Sequence, residues 1–272
     1  MGRREQLIEA MGLGPVWKLR HTGDAEVPPV EGVADAAPTP ARPDPPARLT
    51  ERTGAPVRSV PARSTAPAPV AAPSLDPERE QRILQMDWTQ LREAVASCKA
   101  CNLCSTRRQT VFGVGDQQAE WMLVGEAPGA EEDARGEPFV GQAGQLLDNM
   151  LAALEMERGK NVYIANVLKC RPPGNRNPEP GEVARCSPHL VRQVALVQPR
   201  LILAMGRFAA QALLETEASI ASLRGKVHRY QGVPVIVTYH PAYLLRNLPD
   251  KAKSWQDLLF ARRTLAALKA DG

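Results

Sequence analysis

Residues 121–147, WMLVGEAPGAEEDARGEPFVGQAGQLL, put three things in succession: an apolar run, a loop crowded with glycine, proline and carboxylates, and the start of a helical pattern. The run from Trp121 to Val124, closed by Gly125, suits a strand buried on both faces, as in a parallel sheet. Ala143, Leu146, Leu147, Met150, Leu151 and Leu154 recur at three- and four-residue intervals, which predicts a helix with one buried face. In open α/β sheets ligands sit beyond the carboxyl ends of the strands, so the loop from Glu126 to Phe139 lies where chemistry is expected.

The pattern repeats. NVYIANVL (161–168) is a second β-branched run ending in KCRPPGNRNP, RLILAM (200–205) a third, and VPVIVTY (233–239) a further strand that runs into HPAYLLRN. A short strand and turn are predicted in TVFGVGD and another strand over 227–230. Helices are expected over 83–95, over 181–197 with a kink at Pro188, over 208–214, and around Leu258 to Leu268, the last sealing the sheet. Strands alternating with helices imply an α/β domain with a mostly parallel sheet and its loops gathered at one edge.

That domain does not extend over the whole chain. From Asp24 to Glu78 there is no aromatic residue, Ile, Met or Cys, and about half of the 25 prolines fall there. Such a segment buries too little apolar surface to offset its ordering entropy, so residues 21–78 are expected to form a disordered Pro/Ala-rich linker. Residues 1–20 carry a short amphipathic pattern (Leu7, Ile8, Met11). It reads equally as a peptide that docks on a protein partner and as a frayed helix without a role. The folded domain is assigned to 79–272. A net charge of +4 is compatible with a nucleic-acid partner without demonstrating one. No stretch approaches the roughly 20 apolar residues of a membrane span and no signal-peptide core is evident, so a soluble cytoplasmic chain is the expectation.

Five cysteines then suggest a metal or thiol function rather than disulfides. Cys98 and Cys101 form one pair, and Cys170 and Cys186 a second. Four thiolates fit a tetrahedral zinc or an iron–sulfur cluster equally, and a site filled by four cysteines has no open position, so its role would be structural. Cys104, third in CKACNLC, is left over and ambiguous.

Together with that cysteine spacing, GEAPGAEED with GEPFVGQAGQLL, the N-V-L-K-C-R-P-P-x-N-R-x-P stretch from Asn166 to Pro178, and HPAYLLR from His240 to Arg246 resemble the iron–sulfur uracil-DNA glycosylases, family 4 of that superfamily. The resemblance covers roughly residues 90–268, and the long Pro-Ala extension is similar to that of bacterial members. It implies a single three-layer domain, a structural 4Fe-4S cluster on Cys98, Cys101, Cys170 and Cys186, and a monomer acting on uracil in single- or double-stranded DNA. The base would be flipped out and its glycosidic bond hydrolysed, leaving an abasic site.

Residue by residue, the resemblance implies that Phe139 stacks on uracil and that Asn166 reads its edge, accepting from N3–H and donating to O4. His240 would donate to O2 as charge accumulates there. Backbone groups around Glu126 and Ala127 would complete the pocket. Glu132 would orient water, in place of the family 1 aspartate whose position Ala127 occupies. Leu244 or Leu245 would fill the gap left by the flipped base, and Lys169, Arg171, Arg176 and Arg246, with Lys251 nearby, would meet phosphates. No covalent histidine link to DNA is expected, since the basic insertion that accompanies it is missing from ARGEPFVGQAG. Two other classes compete: a zinc-holding nucleic-acid-binding module, which has no need of Phe139, Asn166 and His240 together, and an iron–sulfur electron carrier, whose ligands would not be spread over some 90 residues. GEAPG lacks the Lys-Ser/Thr ending of a phosphate-binding P-loop.

Overall fold

The computed structural model describes residues 76–270. The amino-terminal segment 1–20 and the linker up to residue 75 lie outside the described residues. The first described element, α1 (Pro77–Gln85), starts on Asp76, whose side chain accepts the Arg79 N–H. The single helix expected over 83–95 is two. Asp87 breaks it and opens α2 (Trp88–Ala96) with a reciprocal capping box to Gln90.

Six strands form one sheet in the order β1-β3-β2-β4-β6-β5. The four central strands, β3 (Val162–Asn166), β2 (Trp121–Gly125), β4 (Leu201–Met205) and β6 (Val233–Thr238), are parallel. The short edges β1 (Val114–Gly115) and β5 (His228–Tyr230) run antiparallel. Side chains alternate cleanly between two apolar layers. Met122, Val124, Ile202 and Ala204 pack with Leu190, Val194 and Val197 of α5 (Pro180–Val197) and with α6 (Arg207–Leu214). Trp121, Leu123, Leu201 and Leu203 pack with Leu147 and Leu151 of α4 (Gln142–Ala152) and with Leu258, Ala261 and Leu265 of α9 (Asp250–Ala270). Helices on both faces make the expected three-layer domain, and they explain why each parallel strand reads as continuously apolar.

Helix α5 includes Pro188 within its 18 residues. Proline removes the donor that would reach the carbonyl four residues earlier, and the Ser187 hydroxyl donates to that Ala184 oxygen instead (3.1 Å). Three short helices complete the domain: α3 (Ala130–Arg135), α7 (Ile220–Leu223) and α8 (Pro241–Arg246). Strand order reverses about β2, since β3 lies on one side of it and β4 and β6 on the other. The carboxyl ends of these four strands therefore border the crevice in which such sheets take ligands.

Candidate active site

A cleft of about 690 Å³ opens at those strand ends. Its floor depends on the loop after β2. Glu132 of α3 braces that loop: one carboxylate oxygen accepts the Gly129 N–H (3.0 Å), and the other accepts those of Val140 (3.0 Å) and Gly141 (3.2 Å). From the opposite side Arg158 donates to the carbonyls of Pro138 (2.9 Å) and Phe139 (2.8 Å) and pairs with Asp148. Thus held, Phe139 adopts φ +56°, a region costly for an aromatic residue. Glycine at 144 is required by contact, because any Cβ there would collide with the Phe139 carbonyl. At Gly125 a Cβ would come within 2.6 Å of the Phe139 ring and would also strike the Asn166 amide. The glycines quoted in the motif are what allow ring and amide to approach the strand end.

Asn166 ends β3, in register with Gly125. Only 2% of it is exposed, and its Oδ1 is buried with no hydrogen-bond partner. A buried acceptor left unmatched costs about 1–3 kcal/mol, so it marks a place where a donor is meant to arrive. His240 follows β6 and caps α8, its Nδ1 accepting the Ala242 N–H (3.1 Å). The proton of the neutral ring therefore resides on Nε2. Burial pulls the imidazole down to about 4, with the Arg246 charge adding to this and Glu132 opposing it, so the ring is neutral at pH 7. Its ring stacks on Phe139, centroids 5.5 Å apart. Glu126, also in the cleft wall, is pushed up to about 7 by burial, against the lowering charge of Arg207.

The structure thus brings Glu126, Ala127, Glu132, Phe139, Asn166, His240, Arg176 and Arg246 around one cleft. Arg176 is already engaged there, with both guanidinium nitrogens on Glu182 (2.9 and 2.6 Å). Arg171 lies outside the wall and donates to Asn175 (2.7 Å). Two expectations are overturned. Lys169 cannot meet phosphate: it is 1% exposed, and its ammonium donates to the Asn166 carbonyl (2.7 Å) and to Gln193 Oε1 (2.6 Å). Leu244 cannot enter a base stack, being fully buried, whereas Leu245 is 38% exposed and Leu248 60%.

Several groups in and around the cleft escaped the sequence reading. Arg207 opens α6 in the wall, directly after Gly206, where a Cβ would press on His240 at 2.9 Å. Tyr239 and Tyr243 stack with centroids 5.1 Å apart. Arg224 lies over Tyr239 and pairs with buried Asp257 (2.6 and 2.9 Å). The Tyr243 hydroxyl donates to Asp250 (2.7 Å). This ladder fixes the backbone on both sides of His240. Its only sequence signal was two tyrosines four apart.

All five cysteines line a second, small cavity. Arg107 donates to Cys170 Sγ (3.0 Å) and to the carbonyls of Ala96 (3.2 Å) and Cys98 (2.9 Å). Arg79 donates to Cys98 Sγ (3.5 Å) and to His189 Nε2 (3.0 Å), and the Lys169 N–H donates to Cys186 Sγ (3.3 Å). His189 also lines the cavity, and its Nδ1 is buried without a partner. Burial pushes the thiols of Cys101 and Cys170 up, and that of Cys186 up to about 12. Among the described residues no group of three or more His, Cys, Asp or Glu side chains is arranged to hold a metal ion.

The sequence profile of the uracil DNA glycosylase superfamily matches residues 112–259, the span that carries the sheet and its cleft. A type-4 uracil-DNA glycosylase of Archaeoglobus fulgidus is 48% identical over 159 residues, 56% of this chain and 79% of that protein. One of Pyrobaculum aerophilum is 43% identical over 181 residues, 64% of this chain and 92% of that protein. A type-5 uracil-DNA glycosylase of the same organism is 34% identical over 149 residues, 49% of this chain and 66% of that protein. The chain belongs to the uracil DNA glycosylase superfamily and, within it, to the type-4 branch.

Proposed function

We propose that this protein excises uracil from DNA by hydrolysing the bond between the base and C1′, leaving an abasic site for repair. The observation that carries the reading is the buried, unpartnered Oδ1 of Asn166, set beside the Phe139 ring in a cleft that also holds His240. Uracil offers an N3–H to that acceptor and O4 to the amide's donor, whereas cytosine presents the reverse at both positions. Phe139 supplies an apolar face for the base, which must leave the stack to reach the cleft. As the C1′–N1 bond breaks, its electron pair departs with uracil and charge gathers on O2. The neutral His240 Nε2–H donates there without surrendering its proton.

Glu132 contributes charge and position. A carboxylate has about four lone-pair sites. Three are taken by backbone N–H groups, which leaves room to hold one water and to face the cationic sugar. Water adds at C1′, and its proton ends on the departed base. Leu245 is the residue suited to fill the vacated stack, and Arg246, Arg207 and Arg176 form the cationic rim for the phosphates; Arg171 is an adjacent phosphate contact. In this reading the protein would act as a monomer on single- or double-stranded uracil-containing DNA. No helix among the described residues is long and apolar enough to cross a membrane.

The thiols fit a 4Fe-4S cluster held by Cys98, Cys101, Cys170 and Cys186. The five thiols lie on one cavity, and the unpartnered His189 Nδ1 and the arginines on Cys98 and Cys170 suit anionic sulfur. When bound, the cluster would supply structural cross-linking of the segment after α2, the segment after β3, and α5.

The test is release of free uracil from a labelled oligonucleotide by the intact protein and by Asn166→Ala, with a thymine oligonucleotide as control. Uracil-dependent release that falls about a hundredfold to a thousandfold in the variant is expected, the loss typical of removing one preorganised hydrogen-bonding side chain from an active site. Binding of the oligonucleotide by folded, iron-replete protein without base release would instead make it a binding module.

A further inference from the structure

Lys169 is among the largest fully buried side chains of the described residues, and it is an ammonium. Its two acceptors are the Asn166 carbonyl and Gln193 Oε1, so neither is sulfur and neither is carboxylate. Gln193 is itself anchored, its Nε2 donating to the Phe112 carbonyl (2.9 Å) and to the Tyr163 hydroxyl (3.2 Å). The main chain of Lys169 is held as firmly: its N–H reaches Cys186 Sγ and its carbonyl accepts the Val111 N–H (2.8 Å). Between them, Val167 and Leu168 donate to the carbonyls of Gly125 and Glu126, extending the β2–β3 pairing past the strand end.

We infer that Lys169 is a positioning residue for base recognition: its buried ammonium clamps the backbone of Asn166 and joins the base-reading amide to the cysteine-bearing segment that follows. Ionised groups are costly to bury, and a methionine of similar length would fill the same space without that cost. What methionine cannot do is donate to the carbonyl of the reader. Removing the Lys169 donor leaves the Asn166 peptide held on one side only, by the Val167 N–H on the Gly125 carbonyl, and a small misplacement of this kind away from the chemistry is enough to weaken catalysis.

This inference rests on the uracil-reading role of Asn166, and a double-mutant cycle separates the two. Uracil release, affinity for an abasic-site duplex and iron per chain are measured for the intact protein, Asn166→Ala, Lys169→Met and the double variant. In the otherwise intact background Lys169→Met is expected to lower kcat/KM for uracil release about tenfold, with abasic-site affinity within about twofold and iron content unchanged. In the Asn166→Ala background it should cost nothing further. An equal cost in both backgrounds, or uracil release at the intact level, overturns the inference. If Lys169→Met does not fold, Gln193→Met serves: it removes the second acceptor, and its smaller effect must likewise vanish without Asn166. Failure of Asn166→Ala itself to impair release would instead overturn the functional reading, whatever Lys169 does.

Discussion

The two ends of the five-residue stretch from Asn166 to Cys170 are built on opposite terms. At Asn166 the fold leaves a polar atom buried and unmatched, beside a ring forced to positive φ and glycines that cannot tolerate a side chain. At Cys170 the sulfur receives a guanidinium, and the same arginine satisfies two further carbonyls. One end is open to a ligand, while the other already has its partners within the fold and stays closed. Strain and unsatisfied polarity persist at the first because the second, with the sheet, holds the surrounding chain.

If that contrast is right, the two regions should fail separately. The largest effect after loss of Asn166 is expected from Phe139→Ala. Loss of base stacking, worth about 1–3 kcal/mol, should lower kcat/KM for uracil release about tenfold to a hundredfold, while iron per chain is unchanged. Matching loss of iron would mean that the loop and the cysteine region are one unit. A smaller and opposite dissociation is expected from Arg107→Gln: iron should be lost to a chelator several-fold faster, with uracil release within about twofold of the intact protein while iron is retained. Equal impairment of both would break the comparison, and Lys169 is the one residue here assigned to both regions.

The smallest effect concerns pH. Glu126 is raised to about 7 by burial, so its carboxylate forms as pH rises through neutrality, and kcat/KM should change slope there. Glu126→Gln should remove that inflection. His240, lowered to about 4, should add none between pH 6 and 9. A surviving inflection near 7 in Glu126→Gln would assign the titration to another group.

Much of this arrangement was legible along the chain. Each central strand announced itself as a β-branched or apolar run ending in a polar loop, because parallel strands covered on both faces leave no polar alternation. The order of the loops was enough to bring Phe139, Asn166 and His240 to one edge. The break at Asp87 was missed because the apolar spacing continues across it, and only the capping box reveals the new start. The ladder from Arg224 through Tyr239 to Asp250 left no more trace than two tyrosines four apart, since its members come from different elements and none is unusual alone.

What the sequence determined by itself was therefore the kind and succession of elements and the chemistry offered at each strand end, properties set by local periodicity and residue type. Tertiary structure decided which way individual side chains turned. Leu244 and Leu245 are adjacent in a six-residue helix, too short for its pattern to fix a phase, and packing against the domain buried the first and exposed the second. Lys169 sits among basic residues of a polar loop and reads as a phosphate ligand. Only the meeting of β3 with α5, which sets Gln193 beside the Asn166 carbonyl, turns it inward. A side chain follows the partners within reach, and those partners are assembled by the fold.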